Sequence, residues 1–236
     1  MKLGIMQPYF FPYIGHFELI FRVDQWVVFD TAQYIKLGWV NRNRILHPVD
    51  GWQYIIVPIR KHNYQAAIKD IKIVEDNRWH DKLLRQLQHY KKRAPYFSVV
   101  MDIVTECLRV NDDSLSRLNV RCLDRVCAYL EIPFQFSIFS EMRLDLGPVE
   151  GPGDWALRIA EALGVSEYIN APGGANLFDR SKFEVAGITL TIQAPVDFVY
   201  TCGDYTFQSN LSIIDVLMWH PPEAIHAYLA ARSQGE

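Results

Sequence analysis

Apolar residues follow two rhythms along this chain. Short blocks bounded by polar residues, glycine or proline read as strands: KLGIM, QWVVFD, WQYIIVPI, IKDIKIV, FQFSIFS, EYIN and ITLTIQAP. Longer stretches repeat at helical spacing. GHFELIFRV places Phe17, Ile20 and Phe21 on one face, and Trp79, Leu83, Leu84, Leu87 and Tyr90 line another helix that Pro95 must end or interrupt. YFSVVMDIVTECL and SLSRLNVRCLDRVCAYL continue as helices, the second capped by Asp113 or Ser114. GDWALRIAEALG predicts a helix closed by Gly164, and ANLFDRSKFEVAG one with Gly187 near its end. LSIIDVLMWH predicts a helix stopped by Pro221 and Pro222.

Strands and helices alternate at both ends of the chain, with a helical block over residues 79–130. This pattern predicts one α/β domain over residues 1–236, a mainly parallel sheet flanked by helices. The helical block reads as an insertion or cap over the ligand edge of the sheet. Ligands of such sheets sit beyond the carboxyl ends of the strands, where the strand order reverses. The segment from Gln7 to His16 leaves the first strand at that edge.

Composition narrows the function. The chain has 236 residues, half of them apolar, enough for a substantial core. A formal net charge of −3 gives no general attraction for nucleic acid. Cys107, Cys122, Cys127 and Cys202 show no C-x-x-C spacing and read as buried thiols of a reducing cytoplasm. No apolar run approaches the roughly 18 residues of a membrane span, and the start is too short for a signal peptide. A cytoplasmic location is the expectation; a homo-oligomer stays open. The scattered histidines show no zinc-binding pair, so no metal ligands are assigned. RWHDKLLRQLQHYKKR reads as a surface helix with a solvated face. The G-x-S-x-G, P-loop and G-x-G-x-x-G motifs do not occur.

Three stretches carry candidate chemistry. In QPYFFPYIGHF, Gln7, Tyr9 and Tyr13 belong to an aromatic elbow that either walls a ligand site or stiffens a turn. Gly15 admits a ligand close to the backbone at a helix N-terminus, which favours an anion. His16 then donates to a phosphate oxygen, or packs on an aromatic neighbour. After the second strand come Gln33, Lys36, Trp39, Asn41, Arg42, Asn43 and Arg44. Lysine and arginine suit phosphate, and Trp39 offers a flat face to a sugar or base. The alternative is a solvated loop. Finally, YINAPGGANLFDRSKF joins Asn170 to a Gly173-Gly174 turn and a helix, with Arg180 and Lys182 in reach of the same anion. An ordinary strand-to-helix connection explains that stretch as well.

The order Phe11-Pro12-Tyr13-Ile14-Gly15-His16 resembles the H-x-G-H signature of the nucleotidyltransferase superfamily, with Tyr13 in place of the first histidine. The chain as a whole resembles the WbqC-like family of bacterial polysaccharide gene clusters. The likeness runs through QPYFFPYIGHFELI, Asp24 to Lys36, WVNRN, YINAPGG and LSIIDVL. It implies a nucleotidyltransferase-like fold and a part in glycan or O-antigen synthesis, acting on a nucleotide-linked amino sugar with a small carboxylic or amino acid. The implied reaction is ATP-dependent amide formation through an acyl-adenylate. In it His16, Lys36 and Arg42 stabilise charge on the α-phosphate while Gln7 and Gln33 orient substrate. Mg²⁺ would accompany the triphosphate. A tyrosine at position 13 carries no positive charge near neutral pH. An N-acyltransferase using a thioester and a non-catalytic nucleotide-sugar-binding protein are the alternatives.

Overall fold

In a computed structural model, the protein is described over residues 1–76, 78–109 and 112–234. From the amino terminus run β1 (Lys2–Met6), α1 (Ile14–Phe21) and β2 (Gln25–Val28), then β3 (Arg42–Leu46) and β4 (Trp52–Ile56). Three helices follow: α2 (Arg78–Gln86), α3 (Phe97–Leu108) and α4 (Leu115–Tyr129). The chain then alternates through β5 (Phe136–Ile138), α5 (Asp154–Ala162), β6 (Glu167–Asn170), α6 (Arg180–Val185) and β7 (Thr189–Ile192). It ends in α7 (Ile213–Trp219) and α8 (Pro222–Gln234).

The main sheet is wholly parallel, in the order β5-β2-β1-β6-β7. Side-chain alternation sorts its residues to two faces. Leu3, Ile5, Val27 and Tyr168 join Leu157 of α5 and Phe183 of α6 in one cluster. Trp26, Val28 and Ile169 join Phe17 of α1, Val104 of α3, Leu123 of α4 and Leu217 of α7 in the other. Helices thus cover both faces, the α/β architecture that the alternating pattern predicts. Gly4 has a specific task here. A Cβ at this position would lie 2.7 Å from the Trp26 ring, so only glycine lets the indole lie across β1. Trp79, Leu83, Val100 and Leu118, from the predicted helical block, belong to the same cluster as α1 and α7.

Several elements depart from the sequence reading. WQYIIVPI becomes β4, which pairs antiparallel with β3 outside the parallel sheet. β3 itself lies in the polar stretch of candidate ligand-binding residues, where no strand was predicted. Its alternation is real but carried by unusual residues: Asn43 and Ile45 turn inward while Arg42 and Arg44 stay partly exposed. IKDIKIV is not a strand. It forms a 3-10 turn at Ile68–Asp70 and isolated bridges of Lys72 with Ser114 and of Ile73 with Ile59. Ile68, Ile71 and Ile73 are buried, but their backbone groups bond to scattered partners such as Ala32 and Asp113. The helix expected over ANLFDRSKFEVAG begins only at Arg180, because Asp179 caps it by accepting from the Ser181 amide. α8 has no counterpart among the predicted elements. Ser114, not Asp113, caps α4 by accepting from the Arg117 amide. All four cysteines are free and buried. Among the described residues no helix is long and apolar enough to cross a membrane.

Candidate ligand-binding cleft

The strand order reverses beside β1. The chain first moves from β1 to β2, then returns to place β6 on the other flank of β1. The connections leaving β1 and β6 therefore diverge and open a crevice at their carboxyl ends. A cleft of about 1080 Å³ occupies that place. Gln7 and Tyr9 enter it after β1; Thr31, Gln33 and Ile35 after β2; Asn170 at the end of β6, with Gly173 and Gly174 after it. Glu150, Gly151 and Trp155 form the wall before and within α5, and Leu177 and Phe178 complete it. The lining is mainly apolar and aromatic with a few amides, the composition of a small-molecule site.

Local packing holds these walls in place. The Asp154 carboxylate accepts from the Glu150 and Gly151 amides, both at 3.1 Å, and from Lys182 Nζ at 2.8 Å. The Lys182 hydrogen bond, the largest influence, holds the Asp154 carboxyl below its usual range. Gly153 permits the wall to close, since a Cβ there would lie 2.2 Å from the Leu177 carbonyl oxygen. On the opposite side, Asn170 Oδ1 accepts from Tyr168 Oη at 2.7 Å and Nδ2 donates to the Ala171 carbonyl. A Cβ at Gly174 would lie 2.2 Å from Asn170 Nδ2. Thr31 Oγ1 is buried without a hydrogen-bond partner.

Of the residues singled out in the sequence, Gln7, Tyr9, Gln33, Asn170, Gly173 and Gly174 come together in this cleft. The others lie elsewhere. His16 is 3% exposed, with its ring 5.1 Å from Trp26 and 5.7 Å from Tyr9, so one ring separates it from the lining. Burial lowers its pKa to about 3, which leaves the imidazole neutral, and Nε2 has no partner. Tyr13 folds over Gly15, whose Cβ would sit 2.5 Å from the tyrosine ring. Arg42 donates to the carbonyls of Leu37 and Gly38 and lies 4.1 Å over the Tyr54 ring. Lys36 is exposed beside Ile35, which does line the cleft. Trp39 stacks on Arg44 at 5.3 Å, and Arg180 donates to the Leu190 carbonyl.

Asn41 and Asn43 face inward. Asn41 accepts from Tyr34 Oη and donates to the Val57 carbonyl. Asn43 donates to the carbonyls of Phe10 and Phe11, at 3.0 and 2.8 Å, and accepts from the Arg44 amide. Phe11 has a φ of +39°, a conformation that bulky side chains rarely adopt. Asn43 thus clamps the aromatic elbow that positions Gln7 and Tyr9. Replacing Asn43 by alanine leaves the buried Phe10 carbonyl without its donor, while that of Phe11 keeps the Ser212 hydroxyl, and is expected to cost about 2 kcal/mol in chemical denaturation. Glu150, Trp155, Leu177 and Phe178 were not anticipated as site residues. For Glu150 and Trp155 the only signal was the Gly- and Pro-rich GPVEGPGDW preceding a helix, while Leu177 and Phe178 sit inside the YINAPGGANLFDRSKF stretch.

These observations define an open, doubly wound α/β protein with a small-molecule cleft at its switch point. The chain belongs to the WbqC-like protein family, whose family model matches residues 7–227. It is 27% identical over 221 residues to the uncharacterized protein Rv1507c of Mycobacterium tuberculosis, covering 92% of each chain. No solved structure matches it.

Proposed function

We propose that the cleft binds a nucleotide-linked amino sugar, which the protein modifies in bacterial glycan synthesis. Membership of the family suggests a role in glycan biosynthesis. The observation that carries the reading is the cleft itself: amides of Gln7 and Gln33 beside the rings of Tyr9, Phe29, Trp155 and Phe178. Amides suit sugar hydroxyls, and aromatic faces suit the apolar face of a pyranose or a base. The reaction in this reading is amide formation on the sugar amine, with a small carboxylic or amino acid as second substrate. Holding both reactants in one site would supply much of the acceleration.

The residues lining the cleft include no lysine or arginine. Phosphates of the ligand would therefore lie at its mouth, near the exposed Lys36, and a triphosphate would need Mg²⁺ to offset its charge. Among the described residues no group of three or more His, Cys, Asp or Glu side chains could hold a metal ion by itself. In this reading His16 serves as a neutral hydrogen-bonding group behind Tyr9, and Arg42 holds the Leu37–Gly38 turn that carries Lys36 toward the mouth. The same cation-free lining favours a second reading, acyl transfer from a preformed thioester, which needs no triphosphate cradle.

Incubation with an amino sugar nucleotide, a carboxylic acid and ATP separates the two. Release of AMP and pyrophosphate that depends on both substrates supports ligation; turnover only with an acyl-CoA supports thioester transfer. Binding without any turnover leaves a binding protein. A uridine diphosphate-linked amino sugar at 100 times its Kd should raise stability by about 2.7 kcal/mol in a thermal-shift titration. Lys36→Ala should weaken that binding about tenfold, an effect that shrinks as salt screens the charge. An unchanged affinity at low salt would remove Lys36 from the site.

A further inference from the structure

A second cavity, of about 390 Å³, adjoins the cleft along the same sheet edge. The two meet across the chain leaving β2: Asp30 lines the second cavity, while Thr31, next in sequence, lines the first. Unlike the cleft, this cavity is polar. Its charged lining is of both signs: Lys69, Lys72 and Arg117 with Asp30, Asp70, Asp112 and Glu141. Arg117 is paired with Asp112 and Glu141, and Lys72 with Asp113. That leaves Lys69, Asp30 and Asp70 without an ion pair among the described residues. Asp30 is 2% exposed and held by the Ser140 amide and hydroxyl at 3.0 and 2.7 Å.

The N-terminus of α4, a helix with no acidic residue in its first turn, opens on the same cavity. Ser116 in that first turn lines the cavity, is 2% exposed, and has an Oγ with no hydrogen-bond partner. A buried hydroxyl left unpaired is costly, and a ligand oxygen would satisfy it. The positive end of the α4 dipole and Lys69 favour a carboxylate, with the Leu115 and Arg117 amides already donating to Ile71 and Ser114, while Asp30 and Asp70 favour an ammonium.

The geometry points to a binding site for a small zwitterion, an α-amino acid, with its carboxylate toward Ser116 and Lys69 and its ammonium toward Asp30 and Asp70. Binding of the amino acid stands on this cavity alone. Its part as the acyl-donating or amine-donating substrate rests on the reading of the neighbouring cleft, since the shared strand end would bring the two ligands side by side.

The test is amide NMR of the full chain titrated with glycine, and separately with acetate, methylammonium and inorganic phosphate. Glycine should move the amide signals of Ser116, Arg117 and Ser140 with saturation, and leave Gly173 and Gly174 in place. Lys69→Gln, at an exposed position, and Ser116→Ala should each weaken it about tenfold. Acetate binding as tightly as glycine would reduce the cavity to an anion site and overturn the assignment. So would shifts confined to Gly173 and Gly174, affinity unchanged in Lys69→Gln, or no saturable glycine response. A uridine diphosphate-linked amino sugar, added alone, should move Gly173 and Gly174. Its failure would sink the reading of the cleft and leave the glycine result standing.

Discussion

Asp215→Ala is expected to lower unfolding stability by about 3 kcal/mol at neutral pH, among the larger losses from a single side chain in this protein. Asp215 sits on α7 with no exposed surface, and its two carboxylate oxygens accept from Tyr90 and Tyr200. Tyr90 Oη in turn accepts from the Leu46 amide at the end of β3. One carboxylate therefore joins α7, the segment after α2, the hairpin and the chain before α7. Alanine leaves two buried phenols without their acceptor and opens a cavity. Urea denaturation measures the loss, and a wild-type midpoint in Asp215→Ala would show that the phenols find other partners.

The pH dependence of the same group has a definite sign. Burial raises the Asp215 pKa to about 6, against an ordinary value of 3.8. The folded chain thus holds this proton more tightly than the unfolded chain. The resulting stabilisation is complete below about pH 4 and is lost as pH rises to about 6, a change of about 3 kcal/mol. His16 pulls the other way. Its folded pKa lies below the ordinary 6.5, so its contribution is present above pH 6.5 and lost as pH falls toward 3. Comparison of wild type with Asp215→Asn isolates the contribution of Asp215. The difference should move in favour of wild type as pH falls from 6 to 4, and a difference flat with pH would refute the shifted titration.

Gly153→Ala is the second large effect, on ligand binding. The residue has ordinary helical torsions, φ −72° and ψ −20°, so alanine is not strained in its own backbone. The obstacle is external: the new Cβ would meet a backbone oxygen, that of Leu177, at 2.2 Å. A carbonyl cannot rotate aside like a flexible side chain, so the two segments must part. Gly151 and Leu177 both line the cleft, and parting them widens it. Affinity for a uridine diphosphate-linked amino sugar should fall 10- to 100-fold by thermal shift, with about 1–3 kcal/mol of stability lost to overpacking. Gly151→Ala meets nothing within 4 Å and should fold like wild type. Wild-type affinity in Gly153→Ala would show that this contact does not set the width of the cleft.

The phosphate-site reading began from residue chemistry, and the fold rearranged that chemistry. Cations and amides following the second strand suggested a phosphate clamp, yet Asn41, Asn43 and Arg42 spend their hydrogen bonds on backbone carbonyls. Nothing in the sequence distinguishes an asparagine that meets a ligand from one that clamps a turn, because both need the same donors. His16 shows the same limit: its identity was visible, but not that burial would leave it neutral one ring behind Tyr9.

The alternation of short apolar blocks with helical repeats was enough to establish a parallel, helix-covered sheet, since periods of two and 3.6 residues are local properties that each segment expresses alone. The same local logic placed Gln7 and Asn170 at strand ends. Which strands became neighbours was decided only in three dimensions. So was the pairing of a polar segment as β3, and the gathering of Gln7, Gln33, Asn170 and Trp155 around one crevice. Those outcomes depend on contacts between residues far apart in the chain, which no local period encodes.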